Sequence, residues 1–121
     1  MARLLLADDS ALIRKMSTMS LTKLGFDVIQ AEDGCQAYEM AKSEKPDVIF
    51  LDAVMPEMDG FESLKAIKDD PDTAGIPVYM CTGDDTEAYI EKASVLGASG
   101  YFTKPVNFEE VKEKLNNLIG G

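Results

Sequence analysis

Short runs of consecutive apolar residues alternate along the chain with longer stretches whose apolar positions recur at helical spacing. That alternation predicts parallel strands joined by helical crossovers. Leu4-Leu5-Leu6-Ala7 is the first run, and Ser10 can cap a helix whose inward stripe reads Ile13, Met16, Ser17, Ser20, Leu21 and Leu24, ending at Gly25. Two serines weaken the stripe without changing its period. Phe26 to Ala31 mixes Phe26, Val28 and Ile29 with Asp27 and Gln30, which suits an edge strand. Asp33 then caps a helix reaching about Glu44. Val48-Ile49-Phe50-Leu51 is apolar on both faces and belongs in the middle of a sheet, as does Val78 to Cys81, introduced by Pro77. Between them lie a helix from about Phe61 to Asp69 and the turn-rich Asp70-Pro71-Asp72. Glu87 to Leu96 reads as a fourth helix stopped by Gly97, and Gly100 to Thr103 as a short strand at the other edge. Asn107 with Glu110 forms a capping box for a last helix that closes at Gly120-Gly121.

With the polar second strand and the short fifth strand at the edges, right-handed crossovers give the order 2-1-3-4-5. The expected fold is a flavodoxin-like, doubly wound α/β sheet of five parallel strands with five helices, residues 1–121 forming a single domain. No repeat, linker or low-complexity tract interrupts it. The topological switch point falls between strands 1 and 3, and ligands bind outside the carboxyl ends of the strands there. Asp8 and Asp9 follow the first strand and Asp52 the third, so three carboxylates meet at that point. Thr82 ends the fourth strand and Lys104 follows the fifth, within reach of the same crevice.

Composition narrows the choices. With 121 residues, 45% of them hydrophobic, the chain can build one ordinary core without metal or disulfides. A formal charge of −10, from 22 acidic and 12 basic residues, repels a nucleic-acid duplex, so direct nucleic-acid binding is not expected. Cys35 and Cys81 are far apart and there is no histidine, which argues for core or semi-buried thiols rather than zinc ligands or a redox pair. The Met1-to-Ala7 segment imitates a signal peptide but is too short and runs into two aspartates, and no membrane span is apparent, so a cytoplasmic location is expected.

The acidic cluster dictates its own partners. Close carboxylate pairs repel by roughly 4 kcal/mol each at an effective dielectric of about 20, so the cluster needs cations. Lys104 supplies one, and Mg²⁺ retaining several waters suits the rest. No glycine-rich loop is present to cradle a nucleotide, so the visiting anion is a phosphoryl group carried by another molecule. Asp52 would attack its phosphorus in line, with Lys104 and the metal neutralising the equatorial oxygens, Thr82 bonding one of them and Gly83 leaving room and a backbone N–H. Each residue has a plainer use as well. Asp8 and Asp9 can serve as helix N-terminal charges, Thr82 as a strand-end hydroxyl, Lys104 as a solvated lysine and Tyr101 as a strand aromatic. Their joint arrival at one sheet edge favours the chemical use.

The set Ala7-Asp8-Asp9-Ser10, Asp52-Ala53-Val54-Met55-Pro56-Glu57-Met58-Asp59-Gly60, Thr82-Gly83 and Lys104-Pro105 resembles the receiver domain of bacterial two-component response regulators, closest in plan to stand-alone chemotaxis-type receivers. The resemblance spans essentially the whole chain. It implies Asp9 and Asp52 as direct Mg²⁺ ligands, Mn²⁺ being an acceptable substitute, with Asp8 acting through water and Val54 through its backbone carbonyl. It implies Asp52 as phosphoacceptor from a phosphohistidine on a sensor kinase or phosphotransfer protein, Lys104, Ala53 and Gly83 holding the phosphoryl group, and a cis bond before Pro105. A switch is implied too. Thr82 moves toward the phosphoryl group, Tyr101 turns inward, and the surface of the fourth helix, fifth strand and fifth helix changes for a downstream protein target, with Ile90, Tyr101, Val106 and Lys114 as contacts. Ile90 and Val106 could equally be core. Kinase docking would use the loops around the pocket and the start of the first helix, near Leu12 and Lys15, with Met19 a loosely packed flank. Val54, where many relatives are polar, and acidic Asp84 leave the phosphoryl lifetime open. The expected assembly is a monomer or a phosphorylation-dependent dimer. Two alternatives stay open: a receiver from a longer regulator with a DNA-binding or enzymatic output domain, and a phosphohydrolase using the same aspartyl-phosphate chemistry.

Overall fold

The computed structural model describes residues 2–52, 60–83, 87–104 and 106–116. Among them the elements are β1 (Arg3–Ala7), α1 (Ala11–Lys23), β2 (Asp27–Ala31), α2 (Gly34–Glu44), β3 (Val48–Asp52), α3 (Gly60–Asp69), β4 (Val78–Thr82), α4 (Glu87–Val95), β5 (Gly100–Thr103) and α5 (Phe108–Lys114). The strands pair in parallel in the order β2-β1-β3-β4-β5. Central β3 is buried at every position, while edge strand β2 exposes Asp27 and Gln30. The apolar runs therefore sort the strands as their patterning predicts.

Strand residues alternate between two cores. Leu5, Ala7, Ile49, Leu51, Val78 and Met80 pack with Ala37 and Ala41 of α2, Phe61, Leu64 and Ile67 of α3 and Ala93 of α4. Leu4, Leu6, Val48, Phe50, Cys81 and Phe102 pack on the other face with Leu21 of α1 and Val111 of α5. Moving any strand by one residue would exchange these two sets, so the register rests on how each set fits the helices on its own face.

Helix ends follow the predicted chemistry with one difference. Ser10 and Asp33 cap α1 and α2 by accepting the backbone N–H of Ile13 at 3.3 Å and Gln36 at 2.7 Å. Asn107 accepts from Glu109 and Glu110, but the Glu110 carboxylate pairs with Lys114 at 3.2 Å, so among the described residues only half of the expected capping box forms. The expected end of that helix at Gly120-Gly121 lies outside the described residues. Gly97 stops α4 with φ +101°, whereas α2 ends on a non-glycine in the left-handed region, Lys45 at φ 47°.

The first helix departs most from expectation. Leu21 is fully buried, but Ile13 and Met16 remain 39% and 57% exposed. They border a groove of about 300 Å³ between α1 and the start of α5, lined also by Ser17, Ser20, Val106 and Phe108. The small serines leave space between the helices that no described residue fills, so the stripe closes onto the core only near its C-terminal end. Cys35 is exposed rather than semi-buried, because α2 turns Gly34, Ala37 and Ala41 inward; Cys81 is buried. No helix among the described residues is long and apolar enough to cross a membrane.

Candidate functional site

Sheet register decides where the acidic residues meet. Ala7 pairs with Leu51, so the residues that follow, Asp8 and Asp52, emerge side by side from β1 and β3. Thr82 pairs with Thr103, and the Lys104 backbone N–H donates to the Thr82 carbonyl at 2.7 Å, which brings the lysine back over the same edge. One carboxylate oxygen from each of Asp8, Asp9 and Asp52 lies within 4.8 Å of the other two. Asp8 and Asp52 are buried, and Asp9 faces solvent.

Lys104 joins the two buried acids. Its Nζ stands 3.0 Å from Asp8 Oδ2 and 3.1 Å from Asp52 Oδ1. Burial pulls the ammonium pKa down, but the hydrogen bond to Asp8 and the charges of Asp52 and Asp8 outweigh that pull and hold it above its ordinary value. The other Asp8 oxygen accepts the Ser10 backbone N–H at 2.9 Å, and the Asp8 backbone carbonyl accepts Arg14 Nη1 at 2.7 Å. Burial pushes the Cys81 thiol up to about 12, helped by Asp52 and Asp8 and opposed by Lys104, so it stays neutral beneath the site. The available donors are thus carboxylate oxygens, which fit a hard divalent cation such as Mg²⁺.

Thr82 is buried at the end of β4, and among the described residues exposed Gly83 has nothing within 4 Å of where a Cβ would stand. The remaining predicted contacts spread out. Tyr101 packs against the core beneath α2, α3 and α4, whereas Val106 packs against the opposite core and lines the α1–α5 groove. Ile90 is half-buried on α4, and Lys114 lies 5.0 Å from the Phe102 ring centroid and 5.9 Å from that of Tyr101. Leu12 and Met19 are 65% and 56% exposed on α1, where Lys15 is exposed as well. Ala53, Val54, Asp84 and Pro105 lie outside the described residues.

Two features escaped the sequence reading. Arg14 touches the site, and its only signal is a charge one turn beyond the Ser10 cap. Phe61 of α3 meets Tyr89 of α4 edge-on at 4.9 Å, with Lys92 Nζ 4.4 Å above the Phe61 ring, a tie between helices that no spacing announces.

Known proteins resemble the chain over nearly all of its length. The family model described as response regulator receiver domain matches residues 4–116. Protein PilH of Pseudomonas aeruginosa is 37% identical with full coverage of both chains, and chemotaxis protein CheY of Bacillus subtilis is 37% identical over 97% of each. The crystallised chemotaxis protein CheY4 of Vibrio cholerae superposes with a TM-score of 0.89 at 34% identity, covering 98% of each chain. Sequence, fold and acidic pocket agree, and the chain belongs to the response regulator receiver domains, phosphorylation-activated signalling switches of the CheY-like kind.

Proposed function

We propose that Asp52 is the phosphoacceptor of this switch and that residues 1–121 act as one receiver unit in the cytoplasm. The observation that carries the reading is the Lys104 ammonium set between Asp8 and Asp52, 3.0 and 3.1 Å from their carboxylates, with Asp9 on the open side. The donor is a phosphohistidine of a sensor histidine kinase or phosphotransfer protein. An Asp52 oxygen attacks phosphorus in line; the new P–O bond forms as the P–N bond breaks, and the imidazole leaves. Lys104 exchanges Asp8 for a phosphoryl oxygen, and the Ala53 and Gly83 backbone N–H groups receive the others.

Asp9 and Asp52 would hold Mg²⁺ or Mn²⁺ directly, Asp8 through a water and Val54 through its carbonyl; the bound cation supplies positive charge to the phosphoryl oxygens. Thr82, buried at the end of β4, then turns toward the phosphoryl group and Tyr101 follows inward, altering the surface of α4, β5 and α5 for a downstream protein, with Ile90, Tyr101, Val106 and Lys114 as its contacts. Water returns Asp52 to the carboxylate, at a rate set in part by Val54 and Asp84.

Acetyl phosphate with and without Mg²⁺, followed by mass spectrometry of the intact protein and its peptides, tests the reading. A single Mg²⁺-dependent phosphoryl adduct on Asp52, absent from Asp52→Asn, is the expected result. An adduct elsewhere, or one that survives in Asp52→Asn, overturns it, and sustained multiple turnover of a phosphate ester would favour the phosphohydrolase alternative.

A further inference from the structure

We propose that Arg14 is a positioning residue that aims Asp9 at the divalent cation, an inference that rests on the metal site proposed above. Each polar group of Asp8 has a partner: Oδ1 takes the Ser10 N–H, Oδ2 takes Lys104, and the backbone carbonyl takes Arg14 Nη1 at 2.7 Å. Asp9 differs. Its side chain is exposed and makes no hydrogen bond or ion pair among the described residues, although it supplies one corner of the acidic cluster.

The Asp8 carbonyl and the Asp9 N–H belong to one planar peptide unit, so whatever fixes that carbonyl fixes the backbone from which the Asp9 carboxylate projects. Arg14 does this from a nearly buried position, its side chain only 12% exposed. The other guanidinium arm, Nη2, points toward Glu32 Oε1 at 3.8 Å, just past the end of β2, so the fork spans from the acidic loop to the neighbouring strand end. A second tie runs the same way, from the Asp8 backbone N–H to the Ala31 carbonyl at 3.2 Å. The loop is held against β2 at two points, and Arg14 is the side-chain point.

Charge and geometry predict opposite signs, which makes the idea decidable. A cation beside a metal site repels the metal, so on charge alone Arg14→Met should tighten divalent binding and Arg14→Lys should leave it unchanged. If Arg14 aims Asp9, both variants weaken it, because lysine keeps the charge without the planar fork. Supporting groups behind a ligand set are commonly worth 10-fold or more in metal affinity, so a loss of about tenfold is expected in Arg14→Met.

Mn²⁺ titrations by calorimetry and electron paramagnetic resonance on wild type and both variants read this directly, with circular dichroism melts in chelator as the folding control. In acetyl phosphate kinetics the Mg²⁺ concentration for half-maximal rate should rise by a similar factor while the rate at saturating Mg²⁺ stays near wild type. A merely structural loss would lower that saturated rate along with the melting temperature. Should Arg14→Met fail to fold, Arg14→Lys carries the test. Equal or tighter Mn²⁺ binding in a folded variant overturns the proposal, as does a fall in saturated rate without a change in Mg²⁺ requirement. Failure of wild type itself to bind Mn²⁺ overturns the metal site instead.

Discussion

Lys104 is the residue on which the unmodified pocket depends, because it is the cation placed between two buried carboxylates. Replacing it by methionine removes the cation that the Asp8 and Asp52 carboxylates share. The expected loss is about 1–2 kcal/mol, less than for a fully buried pair because the lysine side chain is 30% exposed. Mg²⁺ should restore part of that loss, so urea midpoints of wild type and Lys104→Met must converge as Mg²⁺ is added; parallel curves would contradict the role given to the lysine. The raised pKa of Lys104 sets a further sign. Its contribution is complete below the ordinary lysine value of 10.5 and disappears as pH rises through the higher folded value, so Lys104→Met should lose less stability than wild type in strong alkali. Lys45 offers a change in the other direction. It closes α2 at φ 47° and ψ 60°, a conformation glycine adopts without steric cost. Lys45→Gly should therefore stabilise by about 0.5–1 kcal/mol, read as a melting temperature higher by about 2–5 °C.

Among the elements, the strands were legible in the sequence and the faces of the helices less so. Apolar runs such as Val48 to Leu51 admit one reading, since burial on both sides demands it, and the acidic trio follows from where those runs end. Helix α1 shows why periodicity underdetermines packing: Leu21 and Met16 share one stripe, yet the first is fully buried and the second 57% exposed. Leu21→Ala should cost about 2–4 kcal/mol and Met16→Ala less than about 1 kcal/mol, a contrast that denaturant midpoints measure directly. Contacts made through backbone carbonyls, like that of Arg14 with Asp8, depend on loop geometry that side-chain pattern does not encode. The same holds between α2 and the loop after α3. There Tyr38 donates to Asp70 at 2.6 Å, the Asp72 backbone N–H donates to its other oxygen at 2.9 Å and Lys42 stands 3.2 Å away. Those contacts, the Tyr38 bond first, hold the Asp70 carboxyl at about 2, below its ordinary 3.8. Its stabilisation is present above the ordinary value and lost as pH falls toward 2, so Asp70→Asn should flatten acid unfolding between about pH 4 and 2. An unchanged acid limb would remove that tie from the account.

For the whole molecule, three of the 22 acidic residues of a chain at −10 gather at one point, and among the described residues Lys104 pairs with Asp8 and Asp52 while Asp9 has no such partner. The unmodified fold is therefore held under self-repulsion that a divalent cation relieves, and stability becomes coupled to the same cation that phosphorylation needs. Asp9 separates these effects, being the exposed member of the cluster that pairs with no described residue. Asp9→Asn removes one repelling charge, which should stabilise the metal-free protein by a few tenths to about 1 kcal/mol, solvent screening keeping the gain small. It also removes a ligand. Wild type in Mg²⁺ at about 100 times its Kd gains about 2.7 kcal/mol, whereas the variant gains less at the same concentration. The two stability curves must then cross, the variant melting higher in chelator and the wild type higher in Mg²⁺, with the chelator difference shrinking as sodium chloride is raised. A variant that melts below wild type in chelator would show that Asp9 stabilises the loop rather than straining it, and the coupling between repulsion and cation binding would fail with it.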